Sequence, residues 1–263
     1  MTDEALLELR DIHKRFGGMV AVNGVSLRVT AGQIFGLVGP NGSGKTTLFN
    51  IITSFINPDS GSVIFDGEDI TQLRPERIAR RGLVRTFQST LNPGRLTVME
   101  NMLLAPAGQV GEGILGGLFR PAAVRHAEMT NIERAREILA RVKLDHQIDT
   151  YAADLSGGQK KLLMLGQALM LKPRLVLLDE PVAGVHPNLI NDIVDTVRGL
   201  SEEGQNFLVI EHNMGVIREL CDSICVLDAG EVLATGPTEE TLQRDDVLNA
   251  YLGSQAVAAG DEE

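Results

Sequence analysis

The chain has 263 residues, 43% of them hydrophobic and 22% charged, enough for one or two domains with a substantial core and too balanced for wholesale disorder. Its formal net charge of −11 disfavours nucleic acid as a main partner, because a duplex binder carries a basic face. The N-terminus lacks a basic-then-apolar leader, and the least polar stretch, Met102 to Phe119, is broken by Pro106, Gln109, Glu112 and glycines. No membrane span is therefore expected, and the chain reads as soluble and cytosolic.

Leu6 to Ile12 and Val25 to Val29 alternate apolar and polar residues and read as half-buried strands. They are expected to form an antiparallel edge beside the next strand. Phe16 falls in the turn between them, where an aromatic either packs on the core or stacks on a purine ring. Ile34 to Val38 is a short apolar run that reads as a buried strand, followed by a helix beginning at Lys45. Between them, Gly39 to Thr47 reads GPNGSGKTT and fits G-x-x-x-x-G-K-[ST]. The spacing has a chemical reason. Gly39, Gly42 and Gly44 let successive backbone N–H groups turn toward one anion, at the positive end of the helix dipole. Lys45 can reach the β- and γ-phosphates of a nucleotide, and the Thr46 hydroxyl can ligate Mg²⁺. Asn41, Ser43 and Thr47 complete the cradle.

Ser62 to Phe65 reads as a strand closed by the turn Asp66-Gly67, and Pro75 to Arg81 as a short helix opened by proline. Leu83 to Phe87 is a further strand, ending at Gln88. A strand-end amide is either a solvated cap or, beside a phosphate loop, a group for Mg²⁺ or the attacking water. Leu96 to Ala105 reads as a helix with a capping box at Thr97 and Glu100, Ala107 to Gly117 as a glycine-rich mobile loop, and Val124 to Val142 as a long helix. Helices without intervening strands indicate a helical subdomain inserted in an α/β core.

Leu155-Ser156-Gly157-Gly158-Gln159 leads into a helix over Lys160 to Leu171. Ser156 is a good N-cap, so the segment is either an ordinary capped start or a second anion site. Arg174 to Glu180 is an apolar strand with Asp179 and Glu180 at its tip. The first acid can hold Mg²⁺ and the second can accept a hydrogen bond from the attacking water. An amphipathic helix is expected over Asn188 to Leu200, and another buried strand over Phe207 to Ile210. His212 follows at its tip, either a structural histidine or a γ-phosphate contact. Ser223 to Leu227 and Glu231 to Ala234 flank the hairpin signal Asp228-Ala229-Gly230. Cys221 and Cys225 match neither a zinc pattern nor a disulfide framework and read as reduced core thiols. A helical piece through Tyr251 precedes a frayed tail.

With these motifs in this order, the chain resembles an ATP-binding cassette (ABC) ATPase subunit along nearly its whole length. The GPNGSGKTT loop, Gln88, LSGGQ at Leu155 to Gln159, LVLLDEP at Leu175 to Pro181 and His212 carry the resemblance. It implies a P-loop NTPase (RecA-like) α/β core with an antiparallel β edge and an inserted α-helical subdomain. Residues 1–253 would form one domain, with 1–88 and 160–253 as core, 89–159 as helical subdomain, and 254–263 as flexible tail. It further implies ATP and Mg²⁺ and a head-to-tail ATPase dimer, in which Ser156, Gly157, Gly158 and Gln159 meet the partner's nucleotide. Phe16 matches the adenine-stacking aromatic, and Val22 lines base or ribose. Glu180 matches the general base. Gln88 would sense γ-phosphate and metal, and Ser89 to Ala105 would receive a permease coupling helix.

EPVAGVHP at Glu180 to Pro187, the 107–135 segment, Ile210 to His212 and Ala250 to Gly253 are similar to the ATPases of branched-chain amino-acid importers. Such a subunit works peripherally at the cytoplasmic membrane face. It serves two permease chains, an external binding protein and a second cassette, more readily a different chain than a copy. Urea or amide importers and lipid or lipopolysaccharide exporters share parts of the pattern, and a soluble non-transport ATPase is the remaining alternative. His186 departs from the family's usual Asp.

Overall fold

The structure, a computed structural model, describes residues 5–86, 94–105 and 121–251, without the side chains of 121–124. Gln88, the 107–117 stretch and the expected tail lie outside the described residues. Packing divides the chain into two compact units: residues up to Arg85 with Arg174–Pro181 and Ser201 onward, and Thr86–Pro173 with Val182–Leu200. The helix after LSGGQ is thus grouped with the helical elements, whereas the sequence reading draws the boundary at residue 159.

The first unit holds two sheets. β1 (Ala5–Phe16), β2 (Met19–Thr30), β4 (Ser60–Phe65) and β5 (Glu68–Asp69) form an antiparallel sheet in the order β2-β1-β4-β5. The second sheet has the order β10-β9-β3-β8-β7-β6. Its strands are β3 (Ile34–Val38), β6 (Leu83–Arg85), β7 (Leu175–Asp179), β8 (Asn206–Ile210), β9 (Ser223–Asp228) and β10 (Glu231–Pro237). All its pairings are parallel except the β9–β10 hairpin. One expectation is corrected here. β1 and β2 do not extend the sheet that carries β3 but belong to the separate antiparallel sheet.

Sequence explains the division. β3 (IFGLV) and β7 (LVLLD) are buried at every position, as strands covered on both faces must be. β1 and β2 alternate and bury mainly one face. Helix α1 (Lys45–Ile52) contributes Leu48, Phe49, Ile51 and Ile52 to one core cluster with Leu7, Leu9 and Val25 from the first sheet and Leu37, Leu177 and Leu208 from the second. That shared core packs α1 against the sheet that carries β3.

α2 (Pro75–Arg80) completes the early part of the first unit, with Pro75 at its first turn as expected. α7 (Met214–Leu220) is capped by the Asn213 side chain, which accepts from Gly215 and Val216 N–H, and α8 (Thr238–Leu242) follows β10.

In the second unit, α3 (Val98–Leu103), α4 (Pro121–Arg141) and α5 (Gly157–Met170) pack mutually. Gly166 permits the approach, since a Cβ there would lie 3.1 Å from Met102 Sδ. Short 3₁₀ turns at Asp145–Gln147 and Ala152–Asp154 link α4 to α5. α6 (Pro187–Glu202) begins in this unit.

Candidate active site

The loop after β3 is set by backbone geometry. Gly39 has φ +145°, and a Cβ there would lie 2.1 Å from the Leu227 carbonyl oxygen. Gly44 has φ +101°, and its Cβ would lie 2.5 Å from Ala21 O. Only glycine satisfies both the conformation and the space. The β9–β10 turn braces the loop: Gly230 N–H donates to Ser43 O at 3.2 Å, and Asn23 N–H to Gly230 O at 2.8 Å.

Lys45 opens α1 and is buried, with its ammonium folded onto the loop. Nζ donates to Gly39 O at 2.8 Å, to Pro40 O at 2.7 Å and more weakly to Ser43 Oγ at 3.4 Å. Burial pushes its pKa below the usual lysine value, and the charge of Glu180 pulls it back up. This is a partly desolvated cation beside a set of backbone amides, suited to a polyanion. Ser43 is buried, Thr47 half-buried, and Asn41, Gly42 and Thr46 are exposed. Phe16 is the last residue of β1 rather than part of a turn, and its ring is 43% exposed. Lys14 Nζ stands 5.6 Å from that ring while pairing with Asp59 at 2.8 Å. Val22 is fully buried, with Cγ2 3.6 Å from where a Gly44 Cβ would be, so it supports the loop from inside the core.

Two strand tips bring the acids and histidine together. Asp179 ends β7, and Glu180 follows with φ +48°, a left-handed conformation that a non-glycine residue holds at a cost. Its N–H donates to Ile210 O at 2.9 Å, tying the turn to the end of β8. Glu180 Oε1 lies 2.9 Å from His212 Nε2. A carboxylate only accepts, so the imidazole carries its proton on Nε2. His212 is held in turn by Glu211, a 3% exposed residue whose Oε2 accepts from His212 N–H at 2.8 Å and Asn213 N–H at 3.2 Å.

Asp179 is tied through Oδ2 to Arg85 Nη2 at 2.6 Å, and Arg85 Nη1 donates to Asn50 Oδ1 at 2.6 Å. Sequence reasoning missed Arg85, Asn50 and Glu211. The one available signal was a lone charge inside the apolar run of β6. For a metal, Thr46 and Asp179 offer hard oxygen donors of the kind Mg²⁺ takes, and the described bonds of Asp179 run through Oδ2 alone.

Within the second unit, Ser156 caps α5. Gln159 N–H donates to Ser156 Oγ at 3.3 Å, and Ser156 N–H to Gln159 Oε1 at 2.9 Å. Gln159 thus spends its side-chain oxygen on the cap. Gly157 is exposed and Gly158 buried, a Cβ on the latter meeting Leu189 at 3.1 Å.

The loop, the parallel sheet with nucleotide-loop connectivity and the acids at its strand tips define the class: a phosphate-loop nucleotide-binding α/β protein. Comparison with known proteins refines it. The ABC transporter family model matches residues 22–183, and the chain belongs to that family of ATPases. It is 39% identical over 249 residues to the high-affinity branched-chain amino acid transport ATP-binding protein BraF of Pseudomonas aeruginosa, covering 94% of this chain and 98% of that one. It is 40% identical over 250 residues to a probable branched-chain amino acid transport ATP-binding protein, LivG, of Archaeoglobus fulgidus, covering 95% and 96%. Among solved structures it is similar to the ADP conformation of an ATP-binding cassette of an ABC transporter, with a TM-score of 0.81, 37% identity and coverage of 95% and 99%.

Proposed function

We propose that this chain is the ATP-hydrolysing subunit of an importer for branched-chain amino acids. The observation that carries the chemistry is the Glu180–His212 pair at 2.9 Å, on strand tips whose charge reaches the phosphate-loop lysine. The cargo reading rests on identity to the transport ATPases over nearly the full length of the chain.

In this reading the loop amides from Asn41 to Thr47 and the Lys45 ammonium bind the β- and γ-phosphates, and Phe16 stacks on adenine. Val22 contributes from beneath the loop. Thr46 and Asp179 hold Mg²⁺, with Gln88 as a further ligand and γ-phosphate sensor. The ion supplies charge neutralisation on the phosphates. Glu180 takes a proton from the attacking water. The water oxygen bonds to the γ-phosphorus, and ADP departs with the bridging oxygen. His212 donates Nε2–H to Glu180 and keeps its carboxylate aimed. Ser156, Gly157 and Gly158, on a capped helix start, receive the nucleotide of a second cassette. Closure of that pair moves two permease chains fed by an external binding protein, with this subunit peripheral on the cytoplasmic face. Among the described residues no helix is long and apolar enough to cross a membrane, which fits a subunit that docks.

The test is uptake. In cells that express this chain natively, Lys45→Ala is expected to abolish ATP-dependent uptake of labelled leucine, isoleucine and valine, and to leave urea uptake intact. Loss of urea uptake, or of lipopolysaccharide export, with leucine uptake preserved would move the chain to those transporters.

A further inference from the structure

We propose that Arg85 is a positioning residue for the metal-binding carboxylate: it grips Asp179 by Oδ2 and thereby fixes the carboxylate plane and leaves Oδ1 for the Mg²⁺ of a bound nucleotide. This rests on the reading of Asp179 as a metal ligand.

The geometry is that of a three-point anchor. Arg85 pairs with Leu177 in the parallel β6–β7 register, so Asp179 lies two residues further along the neighbouring strand, on the same face. Nη2 donates to Asp179 Oδ2 at 2.6 Å and Nη1 to Asn50 Oδ1 at 2.6 Å. The guanidinium carbon stands 5.6 Å from the centroid of the Phe49 ring. Asn50 and Phe49 belong to α1, the helix that carries Lys45 and Thr46. One planar cation therefore connects the helix bearing one proposed metal ligand to the strand bearing the other.

Burial gives the link its effect. The Asp179 side chain is 7% exposed and that of Arg85 is 11% exposed, so water competes little for either group. Both terminal nitrogens are engaged and the ring lies against the guanidinium, which restricts rotation of the group and of the carboxylate oxygen it holds. Partners of this kind set metal affinity and activity in other metal sites by about 10- to 100-fold. A purely structural pair between β6 and β7 would give stability without touching metal dependence.

The experiment compares wild type, Arg85→Met, Asp179→Asn and the double variant as full chains. Hydrolysis is titrated with Mg²⁺ at saturating ATP. Binding of a fluorescent ATP analogue is measured separately in EDTA. Arg85→Met is expected to raise the Mg²⁺ requirement by about 10-fold or more, with metal-free nucleotide affinity held within about twofold. The double variant is expected to be no worse than Asp179→Asn, because both changes remove one device. Unchanged Mg²⁺ dependence in Arg85→Met, or losses that add in the double variant, overturns the proposal. If Arg85→Met does not fold, Arg85→Lys decides. It keeps the charge but offers a single ammonium in place of a two-armed plane. A Mg²⁺ requirement raised by about threefold or more then supports the assignment, and an unchanged one refutes it. Asp179→Asn with wild-type Mg²⁺ dependence would fail the metal-ligand reading itself, an outcome separate from Arg85.

Discussion

Glu180 shows how one residue can be held in an unfavourable conformation. Its φ of +48° is locally unfavourable, and the bond from its N–H to Ile210 O keeps it there. Glu180→Gln retains size and backbone while removing the proposed base. Phosphate release is expected to fall by about 10²- to 10⁴-fold, with nucleotide affinity and the thermal midpoint near wild type. A variant that still turns over rapidly would reassign the base. Cys225 is a residue-scale case of another kind, a free thiol fully buried in the core. Burial raises its thiol pKa from 9.0 to about 11, against a hydrogen bond with Thr235 that lowers it. The folded state therefore favours the protonated thiol. Stability from this group is present below pH 9.0 and is lost as pH rises through about 11. At pH 8 the native chain is expected to resist a thiol reagent at Cys225 and to react only when unfolded, which a denaturant series followed by mass spectrometry will read.

At the scale of elements, the loop glycines are not equivalent. Gly39 combines φ +145° with a carbonyl 2.1 Å from its missing Cβ, whereas Gly42 has φ +79° and open space around it. Gly39→Ala is expected to destabilise the chain well beyond the roughly 1–2 kcal/mol that left-handed backbone alone imposes on alanine. Gly42→Ala is expected to stay near that figure. Urea midpoints of the two variants give the comparison. The capping boxes offer a second contrast. Thr97→Ala and Ser156→Ala each remove a side-chain cap and should each cost about 1 kcal/mol. Only the Ser156 variant is expected to slow ATP hydrolysis by the isolated chain at high concentration, where two cassettes meet.

At the scale of the whole molecule, the proposed site is shared between two chains. In the proposed dimer the loop of one subunit faces the capped serine of another. Lys45→Ala disables the first half and Ser156→Arg the second. Each variant alone is expected to be inactive, and a mixture is expected to recover ATPase activity, since one of the two sites in a mixed dimer keeps both halves. An inactive mixture of folded chains would mean that the isolated chain does not pair with itself.

Much of this was legible in the residues. Period-two alternation announced β1 and β2, and continuous apolar runs announced β3, β7 and β8, because burial on one face or on both writes itself into composition. Glycine spacing announced the phosphate loop, since backbone turned inward on an anion excludes side chains. Adjacent apolar runs likewise marked Asp179, Glu180 and His212 as strand tips. Sequence by itself thus determined which elements form, which residue types sit at their ends and which family the motifs resemble. It did not determine which strands pair: β1 and β2 left the parallel sheet for one of their own, a choice made by long-range hydrogen bonding and a shared core. Nor did it reveal Arg85, 94 residues from Asp179, or Glu211 beneath His212. The Arg85–Asp179 partnership exists only once a strand register and a buried, low-dielectric setting bring distant charges within hydrogen-bond reach, and only the tertiary structure decides that.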